Sequence, residues 1–106
     1  MKSDSLEREF APLAVPYREG LLLFRAADAI ALVQRAADEG VSILGIDGLQ
    51  ITEKETTSPL EHLADFSQRV AGGHGCWEEA ETIIRARQQS GLVFEVTLGQ
   101  DPLEAV

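Results

Sequence analysis

Apolar residues recur at helical spacing between residues 26 and 39. Ala26, Ala29, Ile30, Val33 and Ala37 fall on one side of a helical wheel, and Asp28, Gln34, Arg35, Asp38 and Glu39 oppose them. This stripe predicts an amphipathic helix from Ala26 to Glu39, closed by Gly40, with alanines that permit close approach to a sheet. Ahead of it, Gly20-Leu-Leu-Leu-Phe-Arg25 reads as a short strand buried on both faces. Residues 1–19 hold one helical turn near Leu6 to Phe10 and are broken by Pro12 and Pro16. They read as an N-terminal flank to a single domain spanning 20–106.

The stretch Gly40-Val-Ser-Ile-Leu-Gly-Ile-Asp-Gly-Leu-Gln-Ile-Thr52 marks a change from helix to sheet. With Asp47-Gly48 as a two-residue turn, Ile46 faces Leu49 and Leu44 faces Ile51, so four apolar side chains share one side of a ribbon. A single straight strand would split those residues between faces and set Asp47 among apolar neighbours. The expectation is therefore a hairpin, with Asp-Gly supplying the positive φ values of its turn.

Ser58-Pro59-Leu60-Glu61 has the form of a capping box: serine at the N-cap, proline at the first helical position, glutamate at the third. It predicts a helix that presents Leu60, Leu63, Ala64, Ser67 and Val70 and stops at Gly72-Gly73. A last helix is expected over about Cys76 to Ser90, burying Cys76, Trp77, Ala80, Ile83 and Ile84, with Glu81 and Arg85 spaced for an ion pair. In Leu92 to Leu98 the alternation turns Leu92, Phe94, Val96 and Leu98 inward and Glu95 and Thr97 outward. Together these elements predict an α+β fold. The expected form is a two-layer sandwich: a mostly antiparallel sheet of about four strands with two or three helices on one face, for which a ferredoxin-like arrangement is the natural guess.

At 106 residues and 44% hydrophobic content, the chain is long enough to bury a core without staples. A lone cysteine, Cys76, and a polar start without a signal-peptide core point to a reducing, cytoplasmic setting. No uncharged apolar run is long enough to cross a bilayer. The net charge is −9, from 18 acids and 9 bases spread along the whole chain. Such a surface repels phosphate backbones, which argues against nucleic acid, and speeds encounter with basic partners. It also serves plain solubility.

Chemistry concentrates in Gly72-Gly73-His74-Gly75-Cys76-Trp77-Glu78-Glu79. A glycine-rich loop before a helix can hold phosphate, yet Glu78 and Glu79 in the first turn repel an anion and suit the helix dipole instead. No Walker lysine is present. His74 and Cys76 stand two residues apart, which rarely brings an imidazole to a thiol. The bland reading, a small apolar cysteine packed beside Trp77, is preferred. His62, Asp65, His74 and Cys76 lack recognised metal-ligand spacing, so neither metal nor cofactor is expected. On the predicted second helix, His62, Asp65 and Arg69 share one side, which serves as a recognition surface, holds a pH-sensitive pair or, as is commoner, is simply the solvated face. Asp47, at the expected hairpin tip, is a candidate counter-ion for Arg87. The candidate binding residues are thus Asp47, His62, Asp65, Arg69, His74 and Glu78.

The succession of a helix, Ile43 to Gly48, Trp77 to Ala80 and Gly91 to Val96 resembles the small immunity proteins of bacterial polymorphic toxin systems. The resemblance implies an antidote that binds and blocks a toxin domain without catalysis, and it transfers no contact residue. A basic toxin domain would suit the acidic surface. The leading expectation is a non-catalytic, acidic protein-binding domain that meets its partner through exposed acids and loop 53–58 or 72–76. A homodimer that seals a sheet edge is compatible with it. Behind it stand a small regulatory or metabolite-binding module and, third, an enzyme centred on His74 and Cys76.

Overall fold

The computed structural model describes residues 2–15, 22–50, 61–71, 73–88 and 92–99. Helix α1 (Lys2–Phe10) runs into a 3-10 turn (Ala11–Leu13). Then come α2 (Ala26–Glu39), β1 (Ile43–Gln50), β2 (Glu61–Asp65), α3 (Ser67–Ala71), α4 (Trp77–Ala86) and β3 (Leu92–Leu98). The strands form one antiparallel sheet in the order β2-β1-β3, so β1 is central. The fold is α+β, as the patterning predicts, with a three-stranded sheet. Neither a fourth strand nor a ferredoxin-like arrangement is found among the described residues.

Helix α2 begins and ends where its stripe predicts. Gly40 takes φ +75°, and the amides of Gly40 and Val41 bond to the carbonyls of Ala37 and Ala36 at 3.2 and 2.9 Å. An L residue would be strained at that φ, whereas glycine reaches it freely. Burial on α2 is wider than the predicted stripe and includes Leu32 and Ala36. The reason is α1, which also packs against α2, places Leu6 and Phe10 in the core and is tied by Glu9 to Arg35 at 3.3 Å. The Phe10 ring meets Phe24 edge-on at 6.4 Å.

The strand expected at 20–25 shrinks to bridges. Phe24 exchanges two backbone bonds with Phe94, at 2.9 and 2.8 Å, and Leu23 bridges Val15. Arg25 already serves as the N-cap of α2, so the chain leaves the sheet after one pair. Gly20 and Leu21 lie outside the described residues.

Two further expectations are overturned. Asp47-Gly48 is no turn: β1 runs straight through it, with Asp47 opposite Glu95 on β3 and Gly48 opposite Phe94. Gly48 is needed for its missing Cβ, because one built there would stand 3.1 Å from Leu63 Cδ1 and 3.3 Å from Leu92 Cδ1. The body of the predicted second helix, Glu61–Asp65, is β2. Its capping box at Ser58 to Leu60 lies outside the described residues. The helix that forms instead is the short α3, whose start is capped by Asp65. The Asp65 carboxylate accepts from Ser67 N at 2.9 Å and Ser67 Oγ at 2.7 Å.

The core lies between the helices and one face of the sheet. Phe24, Ile30, Val33, Ile43, Ile46, Ala80, Ile84, Phe94 and Val96 form a single buried cluster. Each large apolar side chain so buried contributes about 1.5–3 kcal/mol from its removal from water. On the opposite, outer face lies only a small second cluster, Leu23, Leu49 and Val93, flanked by Val15.

Candidate functional site

Cross-strand register assembles the outer face. Asp47 on β1 is paired with Glu95 on β3 and with His62 on β2, while Gly45 is paired with Thr97 and Asp65. Directly paired residues on antiparallel strands project to the same side, so Asp47, Glu95, Thr97 and Asp65 share one surface. A bulge interrupts the pairing of β1 with β2. Ile46 pairs with Ala64 and Asp47 with His62, leaving Leu63 as the extra residue. The side chain of His62 lies outside the described structure.

None of the three strands contains Lys or Arg. Burial pushes the Glu95 carboxyl above the usual carboxylate range, and the neighbouring Asp47 charge pushes it further. Glu95 and Glu7 of α1 also line a cleft of about 180 Å³ at the edge of the sheet. Its apolar walls come from Leu22, Phe24, Leu32 and Leu98.

The remaining candidates sit elsewhere. Arg69 belongs to α3, not to a helix shared with His62 and Asp65, and it reaches across to Glu79 of α4 at 2.7 Å. Glu78 is exposed in the first turn of α4, and the expected Glu81–Arg85 pair forms at 2.7 Å.

His74 is exposed on the loop between α3 and α4. Backbone bonds hold that loop: Gly73 N to Val70 O at 2.9 Å, His74 N to Arg69 O at 3.0 Å, and Ile43 N to Gly75 O at 3.0 Å. The Cys76 thiol is buried and touches the backbone carbonyl of His74 at 4.0 Å. Burial raises its pKa, Glu79 adds to the rise, and Arg69 opposes it. A neutral thiol aimed at a carbonyl is a poor nucleophile. Among non-glycine residues described, only Cys76 takes a positive φ, +64°.

Beside this loop is a cavity of about 330 Å³ bounded by Gly40, Ser42, Val70, Gly73, His74, Gly75 and Trp77. The indole of Trp77 lies over Gly75, where a Cβ would clash at 2.3 Å, and its Nε1 donates to Val41 O at 2.8 Å. Ser42 is the one buried polar residue among those described, 8% exposed.

Two residues of interest escaped the sequence reading. Glu95 was legible only as an outward position, because its opposition to Asp47 depends on strand order. Ser42 carries no local signal at all. Among the described residues no cluster of His, Cys, Asp and Glu could hold a metal ion, and no helix is long and apolar enough to cross a membrane. No family model matches the chain, and no curated protein matches it.

Proposed function

We propose that the protein is a non-catalytic, acidic binding domain for a basic protein partner, acting in the cytoplasm as an immunity protein that neutralises a bacterial toxin domain. The observation that carries this reading is the half-buried Glu95, with its carboxyl raised by burial and by Asp47 on a surface whose strands hold no basic residue. Two carboxylates opposed across strands repel each other. A Lys or Arg from a partner would favour the charged form of Glu95, its aliphatic stem lying along Leu22, Phe24 and Leu98 while its charge reaches Glu7 and Glu95. The net charge of −9 supports the same partner class by speeding its encounter, an effect screened by salt.

Co-expression with toxin genes encoded beside it is the test. Relief of growth arrest together with co-purification of the toxin domain is the expected result. If no neighbouring gene product is neutralised or retained, the reading fails. With a toxin in hand, Glu95→Lys should slow association by about tenfold at low salt and leave the fold intact.

A further inference from the structure

We infer that the cavity between the C-terminus of α2 and the start of α4 is a binding site for a small planar nitrogen heteroaromatic, neutral or cationic. This site stands apart from the sheet face proposed for a protein partner. Its volume of about 330 Å³ falls at the lower end of the range for small-molecule pockets. One wall is the indole of Trp77, fixed in place by its bond to Val41 O and its seat on Gly75. Val70 adds apolar surface. Glycine at 40, 73 and 75 keeps the walls thin, and a Cβ at Gly40 or Gly73 would meet nothing within 4 Å. The flat indole face of Trp77 favours a ring that can stack on it over a branched ligand.

Polar recognition comes from two groups. Ser42 lines the cavity, is more than nine-tenths buried, and makes no side-chain hydrogen bond among the described residues. A buried hydroxyl without a partner is costly and is satisfied by a ring nitrogen or exocyclic amine. His74 lines the same space with an exposed imidazole. Charge restricts the ligand further. Asp38 lies at the end of α2 beside Gly40 and Glu78 in the first turn of α4 beside Trp77, while Arg35 and Arg69 are already engaged by Glu39 and Glu79. Anions are therefore rejected despite the nearby helix N-terminus.

The chain holds one tryptophan, so its emission reports this cavity directly. Titration of the whole protein with adenine at neutral pH should give a saturable change in Trp77 emission, with a Kd of about millimolar for so small a ligand. Adenosine monophosphate should bind at least several-fold more weakly. His74→Ala, at an exposed position, and Ser42→Ala should each weaken adenine about threefold or more. If Ser42→Ala fails to fold by circular dichroism, the His74 variant decides alone. A change that is absent or rises linearly without saturation overturns the inference. So does one unaltered in the folded variants, or a monophosphate that binds as well as adenine.

Discussion

The two faces of the sheet are built from the same three strands and could hardly differ more. On the covered face Ile46, Phe94 and Val96 pack with all four helices around Ala80, Ile84 and Val33. On the outer face Asp47 opposes Glu95, Thr97 is exposed, and only Leu23, Leu49 and Val93 are gathered into a small cluster. The covered face can be explained by stability alone. The outer face holds a carboxyl, Glu95, whose charged form is disfavoured first by burial and then by Asp47, and that makes it the better place to look for a partner.

The contrast is open to attack, beginning with the largest effect. Phe94→Ala removes a fully buried ring from the main cluster and should cost about 3–5 kcal/mol in urea unfolding. A cost below that of the next variant would undo the ranking of the two faces. Leu49→Ala removes a fully buried side chain from the smaller outer cluster and should cost about 2 kcal/mol, the low end for leucine, because the smaller cluster can close over the gap more easily. Gly45→Ala sharpens the picture at the boundary. Its Cβ would stand 3.0 Å from the Ala64 carbonyl, a backbone atom that cannot swing away, and about 1–3 kcal/mol of destabilisation should follow.

The smallest effect has the opposite sign. Because the folded protein raises the Glu95 pKa, ionising that carboxyl opposes folding. The stability lost on ionisation is fully present below the ordinary carboxylate range and disappears as pH rises through the raised value. Glu95→Gln should therefore stabilise by about 0.5 kcal/mol at neutral pH and lose that advantage in acid. Urea unfolding at both pH values decides it, and destabilisation at neutral pH would mean that burial and Asp47 together do not disfavour the charged carboxyl.

Legibility followed the range of the interactions. Helix α2 was readable to the residue, since stripe and Gly40 stop are both local. In β3 the alternation was readable for Phe94, Val96 and Thr97, whereas the burial of Val93 on the outer side depends on Leu23 and Leu49 and was not. Segment 61–65 misled for an instructive reason. Leu63 and Ala64 are both partly buried because a bulge turns adjacent residues inward, and adjacent inward residues imitate the i, i+3, i+4 spacing of a helix. Asp47-Gly48 misled because glycine serves two ends, positive φ and the absence of a Cβ, and only the position of Leu63 and Leu92 shows which one applies.

By itself, then, the amino-acid sequence determined the acidic balance, the amphipathic helix with its glycine stop, the alternation of the last strand and the presence of one α+β fold. Those properties arise from contacts within a few residues or from composition. Tertiary structure alone decided that β1 is central, that Glu95 meets Asp47, and that Ser42 and Trp77 border one cavity. Each joins residues dozens of positions apart, and such pairings are chosen by the burial of whole faces rather than by any local preference.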